Sequence, residues 1–145
     1  MTRASPEHTH TRPFGPVLER LRTAGLRPTR QRLALAKLLF DGDDRHVTAE
    51  MLHGEALRAR VRVSLATVYN TLHQFTDAGL LREIVVDAER SYFDTNVGNH
   101  HHLFDEGTRH LHDIPEADVR LDGLPALPEG MEVSRIDVIV RMRKA

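Results

Sequence analysis

Residues 63–80, reading Val-Ser-Leu-Ala-Thr-Val-Tyr-Asn-Thr-Leu-His-Gln-Phe-Thr-Asp-Ala-Gly-Leu, constrain this chain more than any other stretch. Apolar residues recur at Leu65, Val68, Leu72 and Phe75, the spacing of one face of a helix. Ser64 is a natural N-cap, and Gly79 stands where a left-handed C-cap is wanted. The opposite face carries Ala66, Thr67, Asn70, His73, Gln74 and Asp77, small or polar near the N-terminus and amide-bearing in the middle. A helix that enters the major groove of DNA needs such side chains on its leading turns, and Asn or Gln can pair with adenine through two hydrogen bonds. Tyr69, on the flank, can meet a phosphate oxygen or a thymine methyl. An ordinary amphipathic surface helix has a polar outer face too, so the decision rests on the remaining chain.

Before this stretch the chain reads as three shorter helices. Residues 1–13 are polar, with Pro6, Pro13, His8 and His10, and are expected to be a poorly ordered tail. Residues 14–24 read as a helix with Val17, Leu18 and Leu21 inward, closed by Gly25. Thr29 then caps a second helix whose apolar content is Leu33, Ala36, Leu38, Leu39 and Phe40. Arg27, Arg30 and Arg32 cluster at its start, where cations oppose the helix dipole unless an anion such as a phosphate lies nearby. Residues 41–46 read as a polar turn, and Thr48 caps a third helix that uses Ala49, Met51, Leu52, Ala56 and Leu57. Four residues separate it from residue 64, a length that suits a helix-turn-helix. Residues 81–86 and 91–94 are β-rich runs joined by Asp87-Ala88-Glu89-Arg90. Three helices followed by a two-stranded wing make a winged helix over residues 14–94.

From Thr95 the character changes. Residues 95–99 read as a linker, and residues 100–145 as a second small domain with three strands and little helix. The strands are expected at residues 103–105, 108–113 and 133–143, the last with Ile136, Val138, Val140 and Met142 on one face. Pro115, Pro125, Pro128, Gly123 and Gly130 leave room for at most one short helix between them. Some fifty residues make a small core, so completion by a second copy is expected, which also suits readers of paired DNA half-sites. The fold class is therefore α+β, an N-terminal winged helix-turn-helix domain with a small C-terminal α/β dimerisation domain.

Five of the ten histidines fall within residues 100–112. On a strand, residues i and i+2 share a face, so His100 and His102 can grip one ion while His101 looks the other way, and His110 and His112 form a second such pair. Imidazole with carboxylate suits zinc, iron or manganese; Asp94, Asp105, Asp113 and His46 are the candidate partners, and imidazole is also a common axial ligand of haem. The chain has no cysteine, which excludes disulfides and a thiolate zinc site. Its formal charge of −1 hides an asymmetry: residues 1–76 hold 12 Lys and Arg against 7 Asp and Glu, and residues 77–145 hold 8 against 14. A basic first part and an acidic second part suggest a division of labour. With no long apolar run and no opening signal segment, a cytoplasmic protein without a membrane partner is expected.

Several of these segments together resemble the ferric uptake regulator (Fur) family: Arg27-Pro28-Thr29-Arg30-Gln31-Arg32, His46-Val47-Thr48-Ala49-Glu50, Ser64 through Leu72, Asp77-Ala78-Gly79-Leu80, and Tyr92-Phe93-Asp94 followed by the histidine triplet. The likeness is closest to the haem-responsive branch, the iron response regulators, through the triplet, Asn70, and the ending from Pro128-Glu129-Gly130 to Arg141-Met142-Arg143. It implies a dimeric regulator, mainly a repressor of iron and haem metabolism genes, that binds operator DNA through Arg27, Thr29, Arg32, Ser64, Ala66, Thr67, Tyr69 and Asn70. The position of Arg27 is expected toward the minor groove, those of Tyr69 and Asn70 in the major groove. It implies a sensory site for Fe, Mn or Zn on His46, Asp94, His100, His102 and Asp113, a haem site on His100, His101 and His102, and a haem-supplying enzyme as a further partner. The first cysteine pair of many relatives falls on Asp105 and Thr108, so the Cys-based structural zinc is absent; Asn99 replaces a frequent histidine, and the tail offers Ser5-Pro6 in place of a Cys-Pro haem motif. The alternatives are a Fur-like regulator that senses metal rather than haem, and a DNA-binding module that responds to no ligand. An enzyme is not expected, because the histidine cluster comes with no separate nucleophile or substrate pocket.

If Asn70 reads a base, Asn70→Ala relaxes preference at one base position by about 1–3 kcal/mol and leaves binding to random duplex nearly unchanged. Competition titrations with single-position operator variants measure this, and equal losses on operator and random DNA remove Asn70 from that role.

Overall fold

The computed structural model describes residues 15–145; the expected tail, with its Ser5-Pro6, His8 and His10, lies outside the described residues. The described chain forms two compact units, one running to Ile84 and resuming at Ser91–Val97, the other made of Val85–Arg90 and Gly98–Ala145.

The first unit contains helices α1 (Gly15–Thr23), α2 (Arg30–Phe40), α3 (Ala49–Arg58) and α4 (Leu65–Asp77). Three of the four begin on a hydroxyl cap, because an orphan amide of the first turn needs an acceptor. Thr29 Oγ1 accepts from the Arg32 amide at 3.2 Å, Thr48 Oγ1 from Met51 at 3.1 Å, and Ser64 Oγ from Thr67 at 3.1 Å. Helix α4 ends at Gly79, whose φ of 80° permits paired closing bonds, Gly79 N to Thr76 O at 3.0 Å and Leu80 N to Phe75 O at 2.9 Å. The core joins Val17 and Leu21 of α1, Leu35 and Leu39 of α2, Leu52 and Ala56 of α3, and Val68, Leu72 and Phe75 of α4.

Two expectations about helix faces are corrected. Leu35 is fully buried, although α2 is so rich in Leu and Ala that periodicity alone does not single it out; it lies one turn before buried Leu39. Met51 and Leu57 are 46% and 57% exposed, because the inward face of α3 follows Ala49, Leu52 and Ala56 and leaves them on its outer side.

A further correction concerns residues 41–46. His46 belongs to a short strand, β1 (His46–Val47), rather than to a polar turn. It pairs antiparallel with β3 (Arg90–Asp94), which pairs in turn with β2 (Arg82–Asp87), giving the order β1-β3-β2. Val47 drives this pairing: it is fully buried opposite Phe93, and that register sets His46 opposite Asp94.

The second unit is built on β4 (His100–Asp105), flanked by antiparallel β5 (Leu111–Pro115) and parallel β6 (Ile139–Met142). Helix is limited to one 3₁₀ turn at Glu116–Asp118. The final strand is far shorter than the expected 133–143, and residues 119–138 carry neither helix nor strand. Gly123 and Gly130 adopt positive φ within that segment, Pro125 and Pro128 remove amide donors, and Leu121, Leu124, Leu127, Met131 and Val133 are exposed.

Leu35→Ala is expected to destabilise the protein by about 2–5 kcal/mol, as cavity-forming core truncations do. Urea unfolding followed by circular dichroism measures it; a loss below about 1 kcal/mol contradicts the placement of Leu35 at the centre of the helical core.

Candidate functional site

The outer face of α4 presents Ser64, Ala66, Tyr69, Asn70, His73 and Gln74 to solvent, with Thr67 half-buried. The hydroxyls near its start are already engaged: Ser64 Oγ caps the helix and donates to Thr67 Oγ1 at 2.9 Å, while Thr71 donates to the Thr67 carbonyl. Asn70 and Ala66 are exposed beside them. The Tyr69 hydroxyl donates to Glu50 Oε1 at 2.8 Å, and this bond to a carboxylate holds the phenol above its ordinary pKa. The Tyr69 ring stacks on His73, 6.5 Å between centroids, and His73 meets Phe93 edge-on at 5.5 Å. Glu50 was not among the expected site residues; its position in the first turn of α3 carried only the signature of an acid favoured at a helix start.

Of the basic cluster, Arg27 and Arg30 are exposed. Arg32 is engaged within the protein: Nη1 donates to the Arg27 carbonyl at 2.8 Å, and Nε and Nη2 both donate to Gln74 Oε1, at 3.2 and 3.0 Å. Thr29 serves as the N-cap of α2.

The metal-ligand candidates fall into two groups, one in each unit. In the first unit, cross-strand pairing sets His46 Nε2 3.1 Å from Asp94 Oδ2, with Asp94 only 1% exposed. The other carboxylate oxygen of Asp94 accepts from the Asn96 amide at 2.9 Å. Arg45 anchors this corner: its amide donates to Thr95 Oγ1 at 2.8 Å, its carbonyl accepts from Thr95 N at 3.0 Å, and its guanidinium forks onto Glu55 at 2.7 and 2.6 Å. The hydrogen bond to Glu55, set against partial burial, raises the Arg45 pKa further above its ordinary value.

In the second unit, strand alternation places His100 and His102 on one face of β4, and the register sets Asp113 of β5 opposite His102. Nε2 of His100 and of His102 lie 3.3 and 3.4 Å from the same oxygen, Asp113 Oδ1. His100 Nδ1 lies 2.7 Å from the Gly98 carbonyl, which can only accept, so the neutral ring carries its hydrogen there and presents the Nε2 lone pair toward Asp113. A ligating histidine is usually oriented by such a bond, and two imidazoles with a carboxylate are a donor set that fits Fe, Mn or Zn. His101 points elsewhere, its Nδ1 accepting from the Val138 amide at 3.2 Å. Asp105 is corrected as a ligand candidate: its Oδ1 accepts from the Gly107 and Thr108 amides at 2.8 and 3.1 Å, closing the turn after β4, and these two bonds lower its pKa. His110 and His112 are exposed, with ring centroids 6.4 Å apart.

The profile of the ferric uptake regulator family matches residues 23–140. The chain belongs to the ferric uptake regulator family. Among curated proteins, this family member is 37% identical to the ferric uptake regulation protein of Shigella flexneri over 81 residues, covering 56% of this chain and 55% of that protein. It is 36% identical to the peroxide-responsive repressor PerR of Staphylococcus epidermidis over 86 residues, 59% of this chain and 57% of the relative. The chain thus matches little more than half the length of these relatives. Among solved structures, the ferric uptake regulator of Pseudomonas aeruginosa with manganese superimposes with a TM-score of 0.67 and 28% identity, covering 88% of this chain and 96% of that one. The α+β class, a helical unit with a small wing followed by a small sheet, is the one shared with that structure.

Glu55→Gln removes the charge of the fork while keeping its shape, and is expected to cost about 1.5–3 kcal/mol. A lower urea midpoint at unchanged slope reports it; an unchanged midpoint shows that the fork contributes nothing to holding β1.

Proposed function

We propose that this family member is a DNA-binding transcriptional regulator, mainly a repressor, whose affinity for operator DNA is set by a divalent metal. The observation that carries this is the His100–His102–Asp113 group, two nitrogens converging on one carboxylate oxygen with one ring oriented by a carbonyl. His46 and Asp94, the latter six residues before His100 in the chain, complete the proposed ligand set. The winged-helix portion, 14–94, binds the duplex with Arg27, Thr29, Arg32, Ser64, Ala66, Thr67, Tyr69 and Asn70; residues 95–99 link it to the sensing and dimerising portion, 100–145. A metal held by ligands from both portions favours one arrangement of the DNA-reading helices, and the gain in affinity equals its preference for that arrangement.

A homodimer is supported by the exposed apolar side chains of residues 121–133 together with Val140, a large greasy surface for so small a unit. Among the described residues no helix is long and apolar enough to cross a membrane, and a regulator of chromosomal genes works in the cytoplasm. Haem, which the triplet suggests, is less well supported as the ligand: His101 is bonded to the Val138 amide, and a porphyrin iron on His100 or His102 has to displace Asp113. A haem-supplying enzyme as partner stands or falls with haem as ligand, as does control of haem genes in particular.

The experiment is a selection of duplexes from a random pool by the purified protein, followed by binding titrations with chelator, manganese, iron, zinc and haem in turn. Manganese, iron or zinc is expected to tighten binding by about 5–150-fold. The double variant His100→Ala/His102→Ala is expected to bind as the chelated wild type does under every addition. Equal binding with chelator and metal overturns ligand control, a haem-only response reverses the choice of ligand, and failure to retain any duplex overturns the DNA-binding function itself.

A further inference from the structure

Arg32 has the charge and the place at the start of α2 expected of a phosphate contact, yet it is half-buried and its donors are occupied in a specific way. A guanidinium has five N–H groups and no acceptor, so whatever oxygen it meets must be turned toward it. Two of those N–H groups converge on Gln74 Oε1, at 3.2 and 3.0 Å, and a third binds the Arg27 carbonyl at 2.8 Å. With its oxygen's two lone pairs taken, Gln74 presents only its NH₂ group beyond the helix. A donor-only amide cannot pair in both directions with adenine, as a free glutamine does, but it suits an acceptor oxygen. Gln74 stands ten residues beyond the Ser64 cap, about 15 Å along the axis from the end that enters the groove, where the duplex offers its phosphate wall. The bond to the Arg27 carbonyl fixes the loop from which the Arg27 side chain projects.

We propose that Arg32 acts as a positioning residue: it locks the Gln74 amide in the donor orientation for a DNA phosphate and braces the loop carrying Arg27, instead of contacting phosphate itself. This rests on the DNA-binding function proposed above. It changes the role of Gln74 from a candidate base reader on the outer face of α4 to a phosphate donor, and the role of Arg32 from contact to support. The bond also couples the two side chains across α2 and α4, since neither can turn without releasing the other.

The test uses the full chain with manganese and a duplex selected as above. Arg32→Lys keeps the charge and the reach to a phosphate but cannot fork onto one oxygen. It is expected to weaken binding by about 10-fold, the worth of one hydrogen bond, with the slope of log K against log salt unchanged. Gln74→Leu is expected to lose as much, and the double variant Arg32→Lys/Gln74→Leu little more than either, because the arginine acts through the glutamine. If Arg32 touched phosphate directly, Arg32→Lys would bind nearly as the wild type and Arg32→Met would lower the slope by about 0.9; that result overturns the assignment. Thermal unfolding checks that the variants fold. Gln74→Glu adds an arm that leaves Arg32 in place, since a carboxylate still accepts its fork but offers no donor; affinity near that of the wild type in this variant also overturns it. Failure of the wild type to retain any duplex refutes DNA binding itself, whereas wild-type binding with a fully active Arg32→Lys refutes this inference alone.

Discussion

The pairing of two residues, His46 and Val47, with Asp94 and Phe93 is the constraint on which the helical unit and its ligand group both depend. Burial of Val47 against the core fixes the register, and a strand has only two choices of face, so the neighbouring residue must stand opposite Asp94. The same short strand delivers Thr48 to the start of α3, where its hydroxyl caps the helix that supports α4. A hydrophobic side chain in the core thereby determines where an imidazole and a carboxylate meet. Arg45 reinforces the arrangement from the other side, its fork onto Glu55 tying the strand to α3 and its backbone bonds tying it to Thr95.

The helical part was legible in the sequence because its signals are local. Thr29, Thr48 and Ser64 each cap the helix they were expected to cap, and Val68, Leu72 and Phe75 are buried as their spacing implies. What escaped was non-local or overdetermined. A two-residue strand has no periodicity to detect, and its existence depends on partners 46 and 48 residues away. Leu35 was hidden by the abundance of apolar residues around it, and Met51 and Leu57 look like core in composition while the helix turns them outward. In the second unit the alternation of residues 135–142 promised a long strand, but only Ile139–Met142 pairs: β4 ends at Asp105, opposite Met142, and before Ile139 the Val138 amide donates to the His101 ring instead of to a backbone carbonyl.

For the ligand groups, residue type and strand alternation were enough to bring His100 and His102 together and to send His101 the other way. They could not show that Asp113 stands opposite, which follows from the β4–β5 register, nor that Asp105 is used up by its own turn. On α4 the spacing gave the exposed face but not the state of its side chains. Arg32 and Gln74 are 42 residues apart, and no sequence pattern records that one holds the other.

The bond from Tyr69 to Glu50 has a consequence for selectivity. In the proposed DNA-bound state, any hydrogen bond the phenol forms with a duplex replaces one it already has, so its net worth is a difference between two acceptors rather than the value of either. Releasing Glu50 also uncovers a carboxylate beside a polyanion. A chance sequence, offering only loose backbone contact, recovers little of that loss, whereas a well-matched site recovers more through the neighbouring Asn70. Under the proposed function, the acidic partner would lower idle adhesion to DNA and widen the gap between the intended site and its many competitors.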